Sequence, residues 1–183
     1  MMTLWNDDEK FKQVYFTRFP GIYYAGDYAM KDDDGYFWLL GRADEVLKVA
    51  GHRIGTIELE DALISHPAVA ESAVIGKSDP VKMEVPVAFI VLKPGKEPSE
   101  QLRKELSLHV RNTIGPIAVP EAIYFVSKLP KTRSAKIMRR VVRAVVEGKP
   151  IGDITTLEDD TSVAEMKNAY ADLQAEISKG SSK

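Results

Sequence analysis

A chain of 183 residues, 44% apolar and 28% charged, has the composition of one ordinary globular domain, or of one domain with a piece of another. Twenty-five Lys and Arg against 27 Asp and Glu leave a net charge of −2, which excludes a generally basic surface and allows only a local basic patch. Cysteine is absent, so disulfides, thiolate metal sites and a cysteine nucleophile are excluded. No window approaches the roughly 20 apolar residues of a bilayer span. The opening Met1–Glu9 is acidic and lacks an apolar core, so it does not read as a signal peptide. With no cysteine to protect, the expected location is cytoplasmic.

In chain order, the first expected element is a strand over residues 19–30. A turn at Lys31-Asp32-Asp33-Asp34-Gly35 follows, then a second strand, Tyr36-Phe37-Trp38-Leu39-Leu40. Asp-Gly between two β-prone runs is a strong hairpin signal. The hairpin is aromatic, and residues 1–43 are too few to enclose a core around it, so it is expected to pack on something outside this chain. Val46-Leu47-Lys48-Val49 reads as a short strand, and Gly51 and Gly55 bracket a turn around His52-Arg53-Ile54. Thr56 reads as the N-cap of a helix over 56–65, with Glu58 and Glu60 in a first turn that favours acids. Pro67 ends it.

Residues 69–76 and 85–92 are expected strands. The second, Val87-Ala88-Phe89-Ile90-Val91-Leu92, is continuously apolar, as in a strand buried on both faces. Ser99 caps a helix over 99–114, where Leu102, Leu106, Val110 and Ile114 line one face. Another strand is expected over 122–126, and a helix over 136–147 with Ile137, Val141 and Val145 at four-residue spacing. Residues 155–160 read as loop. Val163, Met166, Tyr170, Leu173 and Ile177 then form a stripe that predicts a helix docked on the body. The expected class is α+β, with a small mixed sheet of about three strands flanked by helices. The expected division is 1–43, 44–150 and 151–183.

Three clusters could carry chemistry: Tyr24-Ala25-Gly26-Asp27; Gly41 to Thr56; and Pro130 to Arg140. A carboxylate after a glycine can approach a vicinal diol and accept two hydrogen bonds. It also suits a strand-end turn. Arg42 and Asp44 could be a surface pair worth roughly 0–1 kcal/mol. A lysine in a polar loop is a movable point charge suited to phosphate or carboxylate. The run Lys128, Lys131, Arg133, Lys136, Arg139, Arg140 and Arg143 also admits a small nucleotide- or nucleic-acid-binding module. The acidic balance and the absence of an aromatic RNA-binding run make nucleic acid the weaker partner.

Taken together and in order, the clusters resemble the adenylate-forming acyl-CoA synthetase superfamily, and within it the acetyl-CoA synthetase family. Tyr24-Ala25-Gly26-Asp27 is similar to the Y-x-G-D ribose motif, and Gly41 to Thr56 to the hinge segment. Pro130-Lys131-Thr132-Arg133-Ser134-Ala135-Lys136-Ile137-Met138-Arg139-Arg140 is similar to the P-K-T-R-S-G-K-I-M-R-R catalytic-lysine motif, with Ala135 where the pattern has Gly. The likeness runs on to Gly152-Asp153-Ile154-Thr155-Thr156-Leu157.

This resemblance implies a C-terminal lid preceded by the last hairpin of a large N-terminal adenylating domain. The implied substrates are acetate, ATP with Mg2+, and coenzyme A. The implied reaction gives acetyl-CoA, AMP and pyrophosphate through acetyl-adenylate. Asp27 and Arg42 would hold the ribose, Asp44 would be the hinge, and Arg53 would reach the phosphates. Lys136 would be catalytic in adenylation. Ala50, Gly51 and Arg111 would serve coenzyme A, and Ile64, His66 and Val69 would offer a weak metal site. Lys136 would also be open to a lysine acetyltransferase and deacetylase. The Gly/Ser/Thr-rich phosphate loop and an acyl pocket are not in this chain, so the isolated chain is expected to be inactive. A propionyl- or other acyl-CoA synthetase is the alternative within the superfamily.

Overall fold

The computed structural model describes residues 3–180, without the side chains of Leu40 and 173–180. The chain forms two compact units, Met1–Asp44 and Glu45–Lys183.

The first unit opens with α1, Asp8–Phe16, an element the sequence reading did not anticipate. Asp7 caps it by accepting from the Lys10 amide at 3.0 Å. The hairpin follows as β1, Asp27–Lys31, antiparallel to β2, Phe37–Arg42. The first strand is shorter than the expected 19–30. Pro20-Gly21 break the extended run: Gly21 has φ 78° and the Ile22 amide turns back to the Phe19 carbonyl. Tyr15 stacks on Tyr23 at 5.0 Å, while Tyr36, Phe37, Trp38 and Leu39 stay exposed. Among the described residues, no apolar side chain before Glu45 is fully buried.

The second unit contains β3, Val46–Val49; β4, His52–Gly55; α2, Thr56–Ile64; β5, Val69–Asp79; and β6, Met83–Leu92. It continues with α3, Glu100–Thr113; β7, Ala122–Phe125; α4, Arg139–Val146; and α5, Thr161–Gly180. The sheet runs β4-β3-β6-β5, with β7 parallel to β6. The expected class holds, but the sheet has five strands rather than about three. His52–Gly55, read as a turn, is strand β4. A four-residue polar and glycine-containing run lacks a propensity signal, and its pairing with β3 is what makes it a strand.

Alternation along the central strands explains their continuous apolarity. Ala88 and Ile90 of β6 join Val74 of β5 under α2 and α3, with Leu59, Leu63, Leu102, Leu106 and Val110. Val87 and Phe89 join Ala73 and Ile75 on the other face under α4 and α5, with Val141, Val145, Val163 and Met166. Both faces are covered, so neither β5 nor β6 has a polar side in its middle.

Three further readings change. The N-cap of α2 is Gly55 (φ −69°, ψ 134°), and Thr56 is the first helical residue, because the extended end of β4 already supplies the cap geometry. Ser99 does cap α3, accepting from the Leu102 amide at 3.1 Å. The last core helix begins at Arg139 rather than 136, because residues 131–137 form a hairpin. Of the α5 stripe, Val163 and Met166 are buried and Tyr170 packs beside them. The side chains of Leu173 and Ile177 are not among those described.

Candidate functional site

The candidate residues divide between the two units. In the first, Asp27 and Arg42 are directly opposite in the β1–β2 register. The Arg42 guanidinium donates to the Ala25 carbonyl at 3.2 Å and to Asp44 at 3.3 Å, and lies 3.5 Å from Asp27. Gly26 makes this possible. Its φ is 81°, and a Cβ there would fall 2.8 Å from Arg42 Nη2. The result is a half-exposed guanidinium between two carboxylates, an arrangement that can accept from a diol and donate to its oxygens. Asp44 is the last residue of the unit.

In the second unit, Ala50 and Gly51 form the two-residue turn between β3 and β4, with φ values of 47° and 87°. Both lie in the left-handed region, as a tight hairpin with matching twist requires. A Cβ at Gly51 would meet nothing within 4 Å. The backbone therefore favours glycine here, while the space before it is open. Ala50, with Val49, Lys82, Pro116, Ile117 and Pro120, lines an apolar groove of ≈ 530 Å³. Arg53, on β4, is exposed opposite Lys48. Arg111 is exposed in the last turn of α3.

Lys136 sits on a hairpin rather than in a loose loop. The Ala135 amide donates to the Thr132 carbonyl at 2.8 Å, and the Thr132 amide donates to the Lys136 carbonyl at 2.9 Å. The Lys136 amide donates to Thr132 Oγ1 at 3.2 Å, and Lys131 bridges Ile137. This is a three-residue hairpin loop ending in a left-handed residue, Ala135, at φ 61°. The position where the resembled motif has Gly is thus the one that most favours Gly.

The charge environment separates Lys136 from its neighbours. Lys131 pairs with Glu71 at 2.6 Å and Lys128 pairs with Asp159. Arg139 pairs with Glu60 and Glu45, and Arg140 donates to the Ile151 and Asp153 carbonyls. Among the described residues, Lys136, Arg133 and Arg53 have no carboxylate partner. Three of the seven basic side chains of the run are neutralised by internal ion pairs and Arg140 is tied to backbone carbonyls, which weakens the nucleic-acid reading.

The Arg139 ion pair was not legible in the sequence. Glu60 was expected beside Glu58 in the first turn of α2, where the structure places only Glu58. Glu60 is instead 5% exposed and accepts from Arg139 Nε at 2.9 Å and from the Val74 amide at 2.8 Å. The hydrogen bond to the Glu60 carboxylate raises the Arg139 pKa. The only available signal was an acid next to Leu59 and three residues before Leu63, in a helix that also carries Glu58 and Asp61. Its partner is too distant in sequence for spacing to reveal.

Ile64, His66 and Val69 share the turn from α2 to β5. His66 Nδ1 accepts from the Ala68 amide at 3.3 Å and its carbonyl accepts from the Val69 amide at 3.1 Å, which leaves Nε2. The His109 ring stands edge-on at 5.3 Å and bonds Ser65 Oγ at 2.8 Å. Burial, then the neighbouring His109, lowers the His66 pKa. No group of three or more His, Cys, Asp or Glu able to hold a metal occurs among the described residues. The turn offers a cation only helix-end carbonyls and one ring nitrogen, a weak donor set.

Residues 58–136 match the family model described as the AMP-binding enzyme C-terminal domain. The chain is 65% identical over 176 residues to an acetyl-coenzyme A synthetase of Pyrobaculum aerophilum, covering 96% of this chain and 26% of that protein. It is 56% identical over 180 residues to a 3-hydroxypropionyl-coenzyme A synthetase of Sulfurisphaera tokodaii, covering 97% of this chain and 27% of that one. The crystal structure of the anthranilate CoA ligase AuaEII in complex with anthranoyl-AMP superimposes with a TM-score of 0.68 at 39% identity, over 79% of this chain and 28% of that one. The chain thus spans about a quarter of the length of the relatives it matches.

Proposed function

Because residues 58–136 belong to the AMP-binding enzyme C-terminal domain family, we propose that this chain is the C-terminal part of an AMP-forming acetate:CoA ligase. In the first half-reaction, acetate attacks the α-phosphate of ATP, giving acetyl-adenylate and pyrophosphate. In the second, the coenzyme A thiol attacks the adenylate, giving acetyl-CoA and AMP. The adenylating domain that binds acetate and most of ATP lies outside this chain, and residues 1–43 are its last portion. Residues 44–150 are the lid, and 151–183 extend it.

The observation that carries this reading is the state of Lys136. Its ammonium is exposed without a carboxylate partner, on a hairpin fixed by its own backbone bonds. Such a cation is free to meet charge developing between acyl carboxylate and α-phosphate. Asp27 and Arg42 hold the ribose hydroxyls, and Arg53 reaches the phosphates. Asp44 absorbs the backbone rotation between half-reactions. Ala50, Gly51 and Arg111 serve coenzyme A, the first of them lining an apolar groove. Mg2+ would come with the ATP phosphates, and the Ile64, His66 and Val69 turn would offer it only a weak set of donors. Acetate is taken as the acyl substrate because the relative at 65% identity is named an acetyl-coenzyme A synthetase, against 56% for the 3-hydroxypropionyl-coenzyme A synthetase.

The test uses an enzyme carrying this chain as its C-terminal part. Lys136→Ala is expected to slow adenylate formation by roughly 10²–10³ and to spare thioester formation from supplied adenylate. Ala50→Leu should do the reverse. Position 50 already carries a side chain at positive φ, so this change tests the thiol path without new backbone strain. Equal losses in both half-reactions would sink the assignment. The exposure of Lys136 also makes it a target for reversible acetylation, which would remove the cation. An acetyltransferase that modifies Lys136 stoichiometrically should stop adenylation, and a deacetylase should restore it.

A further inference from the structure

The Gly152–Leu157 motif has no part in the reading above, yet the fold lays it along the hairpin that carries Lys136. Leu157 bridges Thr132 in antiparallel fashion. The Arg133 amide donates to the Thr156 carbonyl at 3.1 Å, and the Glu158 amide donates to the Lys131 carbonyl at 2.9 Å. Lys131 and Thr132 are therefore held from both sides, by isolated bridges to Ile137 on one and Leu157 on the other. An isolated two-stranded hairpin is marginal in water, and a third strand is the usual remedy.

The segment is fixed along its whole length. Upstream, Arg140 donates to the Ile151 carbonyl at 3.1 Å and to the Asp153 carbonyl. Ile154, in its middle, packs against the apolar cluster under α4 and α5, and Leu157, near its downstream end, is 6% exposed within it. Downstream, Asp159 pairs with Lys128 and Glu165 accepts from Ser127. A cleft of ≈ 290 Å³ lies beneath, lined by Glu71, Lys128, Lys131, Glu158, Asp159 and Ser162. Both its lysines are paired across it, so it is the inner side of this attachment rather than an anion site.

We propose that Ile151–Glu158 is a positioning strap for Lys136. It sets the orientation of the hairpin, and with it the direction in which the ammonium is presented. The inference rests on the reading of Lys136 as the adenylation lysine. A slack strap then slows adenylation alone, since misplacing a reacting group by about 1 Å can cost around a hundredfold in rate. Thioester formation does not use the lysine and is unaffected.

Two substitutions loosen the strap from different ends. Arg140→Ala removes its upstream anchor from an exposed side chain, and Glu158→Pro removes the amide that donates to Lys131. Arg140→Lys keeps a donor and is the conservative control. In the 183-residue chain, amide hydrogen exchange at Thr132, Arg133 and Lys136 should rise about tenfold or more in the first two variants, with α2 and α3 unchanged. In the longer enzyme, adenylation should fall about tenfold with KM for ATP unchanged, thioester formation intact, and Arg140→Lys close to the parent. Unchanged exchange at Thr132 and Lys136 would overturn the strap. So would faster exchange with normal adenylation in an enzyme that Lys136→Ala cripples. If Lys136→Ala itself leaves adenylation intact, the reading of the lysine falls and the catalytic role of the strap falls with it. The exchange data then still report whether the strap holds the hairpin.

Discussion

Ala135 and Gly51 are a matched pair at the residue scale. Both hold positive φ, at 61° and 87°. Left-handed backbone costs an L-residue roughly 1–2 kcal/mol, against which glycine loses about 0.4–1 kcal/mol more chain entropy on folding. Ala135→Gly should therefore stabilise the chain by about 0.5–1 kcal/mol, raising Tm by a few degrees. Gly51→Ala should lower stability by a similar amount, since a Cβ there meets no atom and only backbone strain is added. Thermal denaturation of the two variants checks both signs, and a destabilised Ala135→Gly would refute the strain argument. The Glu60–Arg139 pair predicts a larger effect. Glu60→Ala leaves a largely buried guanidinium with Glu45 and strips the Val74 amide of its acceptor. The expected loss is about 3 kcal/mol by urea denaturation. Glu60→Gln, which can still accept from Val74, should lose less.

At the scale of elements, α5 shows how one helix is attached. Met166 is fully buried in the cluster that includes Tyr124 and Val142. Met166→Ala should cost roughly 2–5 kcal/mol through lost burial and the cavity left behind. The entrance to the helix is electrostatic. Lys128, then the Thr161 hydroxyl and amide, hold the Asp159 carboxyl down to about 2. A depressed carboxyl contributes stability above its unfolded value of about 3.9 and loses it as pH falls through the folded value. The start of α5 should thus be insensitive to pH between about 8 and 5, and loosen between about 4 and 2. Hydrogen exchange of the α5 amides across that range measures it. Asp159→Asn should remove this component of the pH response, and an identical acid profile in the variant would count against the assignment.

For the whole molecule, the distribution of burial predicts how far the second unit depends on the first. Both apolar clusters draw every buried side chain from residues after Asp44. Residues 45–183 expressed alone should therefore unfold cooperatively with a Tm within a few degrees of the complete chain. Loss of a cooperative transition in that piece would show that residues 1–44 are needed for the core. Among the described residues, no helix is long and apolar enough to cross a membrane.

Local order was legible in the sequence where local physics sets it. The four-residue spacing of Leu102, Leu106 and Val110, the Ser99 cap and the apolar run of β6 required only periodicity and hydrogen-bond capacity. The hairpin turn and the order of the three motifs were equally visible, because turns and motifs are contiguous. What the sequence could not decide was pairing over distance. Strand β4 exists because β3 lies beside it, and Glu60 is buried because Arg139 reaches it from another helix. Lys136 looked mobile because its restraints come from Thr132 on one side and, through Thr132, from Leu157 on the other. The sequence determined which residues could carry chemistry; only the tertiary structure decided which charges were left uncommitted, since neutralisation depends on proximity in space and not along the chain.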